Sequence, residues 1–190
     1  MGVPVYCVLC VCTGNICRSP AAELLLSAAL DASVQVTSAG TSGLPGAPVS
    51  PPMAALLARD GIASDGFASR ALTAADVRSA DLVLTLTAAH RALVLDLEPL
   101  ALRRTFALGE LAQLASAVTP AEVSGDDDAA RLARVAQAAV KRRHHFAGAR
   151  PQDDVVDPYR RGDAAYAQSY AQLKEHVQRI VGALRASGTS

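Results

Sequence analysis

The sequence VYCVLCVCTGNICRS, residues 5–19, is the most informative stretch for the fold. Residues 5–11 form an unbroken apolar run rich in β-branched side chains, which is typical of a strand buried on both faces of a parallel sheet. A short polar turn follows, and residues 20–32 then carry apolar side chains at helical spacing, with Pro20 tolerated in the first helical turn. The stretch therefore predicts a central strand, a tight loop and a helix.

The same alternation of strand and helix patterns continues along the chain. Further strands are predicted at residues 34–39, 81–87 and 104–107, and further helices at residues 51–60, 88–97 and 163–185. Residues 112–149 are mostly helix-forming but are broken at 125–128, and they carry a basic cluster at 141–145 that we interpret as a helix end matching the helix dipole. This order predicts an α/β fold in a single domain over residues 1–190, with a parallel sheet and helices on both of its faces.

The charge balance argues against nucleic acid and membranes as partners. Eighteen basic residues balance eighteen acidic ones, so the chain has no net field to hold it on a polyanion. The apolar stretch at residues 3–11 is too short to span a bilayer, and it lacks the flanks of a secretion signal. We expect a cytoplasmic protein with no membrane insertion.

All four cysteines lie within the first 17 residues, which is the wrong distribution for a disulfide framework. We expect them to be reduced. A metal site is not expected either, because no second pair of ligands lies at a suitable spacing, and His144 and His145 are adjacent. No cofactor is predicted.

Residues 12–19, the loop between the predicted strand and helix, are predicted to bind phosphate. Main-chain N–H groups in such a loop can point at an anion, and the helix N-terminus adds positive potential. Gly14 and Asn15 are residue types that tolerate the left-handed backbone of a curled loop. We call residues 12–19 the phosphate cradle, and its predicted phosphate-binding residues are Thr13, Gly14, Asn15, Ile16, Cys17 and Ser19.

Cys12 and Arg18 stand at the two ends of this loop and suggest catalysis. The positive field there favours the thiolate of Cys12, which makes it a candidate nucleophile. Arg18 can make two parallel hydrogen bonds to phosphate oxygens, and Ser19 can donate to the thiolate. A cysteine in an apolar strand more often serves packing, and we assign that role to Cys7 and Cys10.

The run VLCVCTGNICRSPAAE, residues 8–23, resembles the signature of the low-molecular-weight protein tyrosine phosphatases. Further matching segments follow in the family's order, at residues 38–41, 69–73, 80–84 and 157–159. The resemblance implies a four-stranded parallel sheet flanked by helices, with the phosphate-binding loop after the first strand. It also implies hydrolysis of phosphotyrosine through a phosphocysteine intermediate without a metal ion, and a phosphotyrosine-containing protein such as a tyrosine kinase as partner.

Cleavage of a phosphate monoester also needs an acid that protonates the leaving oxygen and then acts as a base towards water. Asp157, in the segment VVDPY, is the candidate, and the resemblance puts the family's general acid at this residue. Asp153 and Asp154 are nearby competitors, which we interpret as solvated loop carboxylates.

The resemblance also implies the walls of the pocket. Tyr159 would stack on the substrate ring, whereas Leu44 and Arg160 stand where many members carry aromatic residues. Leu44 offers no π-face, and Arg160 could favour acidic groups beside the target. The same resemblance implies that Cys17 can form a reversible disulfide with Cys12, which would protect the nucleophile from over-oxidation.

A third departure from the family concerns the support of the cradle. Phe67 stands where a histidine commonly supports the cradle asparagine. Ser38 and Ser19 then remain as the polar supports predicted for Asn15.

Two other functions compete with this interpretation. An arsenate reductase uses the same anion chemistry, but without a cysteine after Cys17 it would need an external thiol as reductant. The other is a phosphate- or phosphotyrosine-binding module without catalysis, which would be expected to lack Cys12 or Asp157.

Overall fold

The computed structural model describes residues 5–143 and 153–186 and contains one sheet of four parallel strands. The strands are β1 (Tyr6–Cys12), β2 (Val34–Gly40), β3 (Leu82–Thr85) and β4 (Thr105–Ala107). Their order across the sheet is β2-β1-β3-β4, so β1 is paired on both sides. The predicted central strand and α/β fold are confirmed.

Helices cover both faces of the sheet. In the described part of the chain the α-helices are α1 (Arg18–Ala29), α2 (Pro51–Arg59), α3 (Ala74–Ser79), α4 (Ala88–Leu97), α5 (Leu108–Ala115), α6 (Asp128–Arg142) and α7 (Asp163–Arg185). Alternate residues of β1 enter two separate apolar clusters: Val8 and Cys10 pack with α1, α5 and α7, whereas Leu9 and Val11 pack with α3 and α4. The strand is therefore apolar at nearly every position because both of its faces are buried.

Several predicted boundaries differ from the structure. The helix predicted over residues 20–32 begins at Arg18 and ends at Ala29, so the last residues of the cradle are already helical. The helix-forming segment over 112–149 begins earlier, with α5, and α6 is separated from α5 by a 3-10 turn at Pro120–Glu122. Residues 144–149 of that prediction lie outside the described residues.

The short helix α3 was not predicted, although the sequence carries a signal for it. Thr73 and Asp76 form a capping box in which each side chain accepts from the main-chain N–H of the other. A threonine followed three residues later by an acidic residue is such a signal, but six residues give too little apolar periodicity to confirm a helix.

The charges of α6 confirm the interpretation of the basic cluster as a helix end. Asp127 caps the N-terminus by accepting from Ala130 N at 2.8 Å. At the other end Arg142 pairs with Glu122 at 2.7 Å, and Arg143, which follows the helix, pairs with Glu110 at 2.8 Å. The predicted cluster also includes His144 and His145, which lie outside the described residues.

Candidate active site

The phosphate cradle connects β1 to α1 at the carboxyl end of the sheet. Asn15 is buried in the cradle with φ +52°, in the left-handed region that the loop was predicted to need. Gly14, the other residue type that tolerates this backbone, does not adopt it. The glycine that the cradle requires is Gly40 on the neighbouring strand, where a Cβ would lie 2.5 Å from the carbonyl oxygen of Thr13.

Asn15 is fixed by a chain of buried polar groups. Its Nδ2 donates to Ser19 Oγ at 2.9 Å and to Ser38 Oγ at 2.7 Å, and its Oδ1 accepts from Arg70 N at 2.9 Å. Ser38 Oγ donates in turn to Glu23 Oε2 at 2.5 Å. The two serines predicted as supports make these contacts, and the main chain at Arg70 adds a third one that the sequence did not indicate.

Cys12 is 2% exposed, and its Sγ lies 3.0 Å from Ser19 Oγ. Because the Ser19 oxygen already accepts from Asn15, the Ser19 hydroxyl proton is available for the sulfur. The cradle can therefore donate a hydrogen bond to a thiolate at Cys12.

A cavity of about 280 Å³ opens above the cradle. Its lining residues are Cys12, Thr13, Gly14, Ile16, Cys17, Arg18, Ser42, Leu44, Asp157 and Tyr159. Two of the predicted site residues, Asn15 and Ser19, are buried behind the lining. Ser42 is an addition that sequence reasoning missed, because nothing in its local pattern distinguishes it from other loop serines.

Arg18 and Asp157 meet across the cavity. Arg18 Nη2 lies 2.7 Å from Asp157 Oδ2, and Arg18 Nη1 donates to the carbonyl oxygen of Val155 at 3.3 Å. The arginine is buried, whereas half of the Asp157 side chain is exposed. Asp157 Oδ1 also accepts from Tyr159 N at 3.2 Å. The carboxylate thus stands at the mouth of the cavity, beside the guanidinium on its floor.

Asp153 and Asp154 do not line the cavity, but the interpretation of both as solvated carboxylates was wrong. Asp154 Oδ1 accepts from Ala88 N at 2.7 Å, at the first turn of α4. Asp153 is buried, and its carbonyl oxygen would lie 2.6 Å from a Cβ at Gly109. Both residues hold their loop against the helices.

His90 is a site residue that sequence reasoning missed. It is 5% exposed, with Nε2 2.9 Å from Thr13 Oγ1 in the cradle and Nδ1 2.9 Å from Thr87 Oγ1. Burial lowers the pKa of His90 to about 4; the charge of Arg18 acts in the same direction and that of Asp157 opposes it. The helix cap at Thr87 was a visible signal, but the contact with Thr13 joins residues that are distant in sequence.

Cys17 lies in the cradle as predicted, with both it and Cys12 as free thiols. Its Sγ lies 3.1 Å from Ser50 Oγ and 3.5 Å from the hydroxyl of Tyr166. Burial raises the pKa of Cys17, and the hydrogen bonds from Ser50 and Tyr166 oppose that effect. A disulfide between Cys12 and Cys17 stays a prediction.

The cavity mouth is formed by exposed side chains. Leu44 is 51% exposed and Tyr159 is 44% exposed, and both line the cavity. Arg160 has φ +59°, and its guanidinium carbon lies 5.1 Å from the centroid of the Tyr159 ring. Phe67, in contrast, packs partly buried against the core.

A phosphate cradle that begins with a buried cysteine and ends with a buried arginine, with a carboxylate at its mouth, defines the class of cysteine-dependent phosphatases. Among the described residues, no three His, Cys, Asp or Glu side chains are placed to hold a metal ion.

Comparison with known proteins gives the family. The profile of the low molecular weight phosphotyrosine protein phosphatases matches residues 7–117. The low molecular weight protein-tyrosine-phosphatase Etp of Escherichia coli K12 is 41% identical over 103 residues, 54% of this chain and 69% of Etp. The probable low molecular weight protein-tyrosine-phosphatase AmsI of Erwinia amylovora is 31% identical over 177 residues, 93% of this chain and 96% of AmsI. The chain belongs to the low molecular weight phosphotyrosine protein phosphatase family.

Solved structures confirm the fold. The crystal structure of the Erwinia amylovora tyrosine phosphatase AmsI has a TM-score of 0.69 at 26% identity, covering 96% of this chain and 95% of AmsI. The YwlE arginine phosphatase from Geobacillus stearothermophilus has a TM-score of 0.68 at 26% identity, covering 95% of this chain and 93% of YwlE. The chain is a cysteine-dependent protein tyrosine phosphatase, and the matches favour neither an arsenate reductase nor a binding module.

Proposed function

We propose that Cys12, Arg18 and Asp157 carry the hydrolysis of phosphotyrosine, as nucleophile, phosphate clamp and general acid. The observation that supports these roles best is the 2.7 Å contact between Arg18 and Asp157, directly above the loop that begins with Cys12. Residues from opposite ends of the chain thus converge on one cavity, with a nucleophile, a cation and a proton donor.

In the first step the phosphoryl group binds to the main-chain N–H groups of the cradle and to Arg18. The thiolate of Cys12 attacks phosphorus and forms an S–P bond while the P–O bond to tyrosine breaks. Asp157 donates its proton to the departing tyrosine oxygen. Because the phosphate competes for the guanidinium that pairs with Asp157, substrate binding frees the acid to face the leaving group.

In the second step Asp157 acts as a base. Its carboxylate takes a proton from a water molecule as the water oxygen attacks phosphorus, and the S–P bond breaks to release phosphate and the thiolate. The Ser19 hydroxyl, whose oxygen lies 3.0 Å from the sulfur, stabilises the departing thiolate with a hydrogen bond.

The cavity mouth suits an aromatic phosphate on a protein surface. The phosphotyrosine ring would pack between Leu44 and Tyr159, both of which are exposed. Arg160, beside Tyr159, is free to contact an acidic residue next to the phosphotyrosine. The proposed partner is a phosphotyrosine-containing protein such as a tyrosine kinase.

The cellular location of the protein stays a prediction. None of the helices in the described ranges is long and apolar enough to cross a membrane. We propose a cytoplasmic substrate pool, consistent with four free thiols.

The experiment that tests these roles is hydrolysis of p-nitrophenyl phosphate at mildly acidic pH, with thiols reduced and a chelator present. Cys12→Ser should lower turnover by at least about 10⁴-fold, because a neutral hydroxyl is a far weaker nucleophile than a thiolate. Cys7→Ser is the matched control, since Cys7 lies at the far end of β1 and does not line the cavity. Comparable turnover in the two variants would refute Cys12 as nucleophile.

A further inference from the structure

The turn after β3 and the start of α4, residues 86–90, together contact both halves of the active site. On one side it holds the segment that leads to Asp157: Leu86 O accepts from Val155 N at 2.9 Å, and Ala88 N donates to Asp154 Oδ1 at 2.7 Å. The position of the acid therefore depends on this turn as well as on Arg18 of the cradle, which contacts Asp157 and Val155.

On its other side the same turn reaches the cradle through His90. The hydrogen-bonding groups around the ring define one consistent arrangement of protons. Thr87 Oγ1 already accepts from His90 N at 3.2 Å, so the Thr87 hydroxyl proton is available for Nδ1 at 2.9 Å. The proton of the neutral ring then resides on Nε2, which donates to Thr13 Oγ1 at 2.9 Å. Thr13 keeps its own hydroxyl proton for the cavity that it lines.

The surroundings of the ring keep His90 in this neutral form. The charged groups that act on it are Arg18, which opposes protonation, and Asp157, which favours it less strongly than burial and Arg18 disfavour it. A neutral ring therefore lies within the field of the Arg18–Asp157 pair without repelling the guanidinium.

We propose that His90 is a positioning residue for the acid step: by binding Thr13 it ties the cradle to the turn that holds the Asp157 loop, and so fixes the bound phosphoryl group relative to the acid. This inference rests on the proposed role of Asp157. Phosphate binding itself depends on the cradle N–H groups and on Arg18, so loss of the His90 contact should affect proton transfer rather than affinity for phosphate.

The test is a series of aryl phosphates whose phenols differ in acidity, measured with wild type, His90→Phe, His90→Gln, Asp157→Asn and the His90→Phe/Asp157→Asn double variant. His90→Phe keeps a planar ring but removes both nitrogens, whereas His90→Gln keeps an N–H donor. We expect His90→Phe to lower kcat about tenfold to a hundredfold for the least acidic phenols, with a much smaller loss for the most acidic one. The inhibition constant of inorganic phosphate should be unchanged.

Two further results are expected from the same set. His90→Gln should recover kcat to within about threefold of wild type, since it restores a donor to Thr13. In the Asp157→Asn background, His90→Phe should lower kcat by no more than about a further twofold, because the acid that His90 positions is absent. Thr13→Val removes the hydroxyl that His90 contacts, at an exposed position, and should reproduce the leaving-group dependence. It serves as the test if His90→Phe does not fold.

Three results would overturn the inference. His90→Phe could lower kcat equally for all the aryl phosphates, weaken inhibition by phosphate, or lower kcat by the same factor with and without Asp157→Asn. Each of these results would indicate a purely structural histidine. If Asp157→Asn alone leaves turnover unchanged, the proposed role of Asp157 fails, and that result is distinguishable from additive losses at the two positions.

Discussion

The two halves of the active site differ in how firmly they are held. In the cradle, Asn15 and Ser19 are fully buried, Arg18 is 4% exposed, and their polar groups are satisfied by neighbours from β2, the Arg70 main chain and the cavity mouth. Residues 157–160, which we call the rim loop, are mostly exposed and include a left-handed arginine. The half proposed to bind phosphate is therefore preorganised, whereas the half proposed to meet the leaving group is open to solvent.

This difference has a chemical reason. The phosphoryl group is the same in every substrate, so a rigid and buried cradle does not restrict the range of substrates. Its main-chain dipoles are already oriented towards the charge that develops during the reaction. The leaving group carries the identity of the substrate, and an exposed loop can accept different protein surfaces around the phosphotyrosine. Changes in the cradle should then abolish activity, and changes in the rim loop should alter its efficiency and preference.

The largest effect after loss of Cys12 is expected at the buried Arg18, the proposed phosphate clamp. Arg18→Lys should lower kcat/KM by about 10³-fold, since a lysine cannot make two parallel hydrogen bonds to phosphate oxygens. Inhibition by vanadate should weaken with it. Arg161→Lys is the control, because Arg161 is exposed and does not line the cavity. A nearly active Arg18→Lys would mean that the cradle N–H groups alone bind the phosphate.

Asp157 lies in the rim loop and contacts Arg18 of the cradle, so it joins the two halves. Asp157→Asn should lower kcat for phenyl phosphate by about 10²- to 10³-fold, because the amide cannot protonate the leaving oxygen, while phosphate inhibition stays close to normal. Asp163→Asn, at the start of α7 and outside the cavity, is the matched control. Unchanged turnover in Asp157→Asn would place the acid on another residue.

The buried support of the cradle should also appear in the pH dependence of stability. The pKa of His90 is about 4 in the folded chain, below its ordinary value near 6.5, so between these values the unfolded chain binds a proton that the folded chain does not. Stability attributable to His90 is therefore present above about pH 6.5 and falls as the pH drops towards 4. The loss should be roughly 2–3 kcal/mol between about pH 7 and about pH 4.5.

Urea unfolding at both pH values measures this contribution. His90→Gln should reduce the difference in the free energy of unfolding between the two pH values by that amount, because the amide does not titrate. The remaining pH dependence in both proteins comes from other groups such as His176, whose pKa is also lowered by burial. An identical pH dependence in wild type and His90→Gln would contradict a buried, neutral His90.

The smallest effect is expected at the cavity mouth, at Tyr159 of the rim loop and at Leu44. Tyr159→Ala should raise KM for phenyl phosphate about fivefold with little change in kcat, since an exposed aromatic contact contributes about 1 kcal/mol. Leu44→Tyr should lower KM by a similar factor by adding a second aromatic wall. Both variants are measured by steady-state kinetics. A loss of kcat in either one as large as in Arg18→Lys would contradict the proposed difference between the cradle and the cavity mouth.

The sequence predicts the cradle well because its signals are local. β1, the loop and α1 follow one another directly, and α4 and α7 have the bounds that apolar periodicity predicts. The prediction of Asp157 as the acid depends on the resemblance to a family, because its own segment contains no signal that it lies beside Arg18.

The features that sequence reasoning missed all depend on contacts between distant segments. Gly40 is needed because β2 approaches Thr13 O closely, which no pattern around residue 40 reveals. His90 meets Thr13, and Asp154 meets Ala88, only once β3 lies beside β1. Local propensity and periodicity carry no information on such pairings, so the supports of a site are harder to predict than its reacting groups.

Cys12 is proposed to carry the phosphoryl group during turnover. The most direct test is to mix Asp157→Ala, which should slow hydrolysis of the intermediate, with an excess of p-nitrophenyl phosphate, quench in acid and analyse the peptides by mass spectrometry. We expect a phosphoryl group on the peptide containing Cys12, lost when Cys12 is also changed to alanine and unaffected by Cys17→Ser. A phosphoryl group on another residue, or turnover without any covalent adduct, would contradict it.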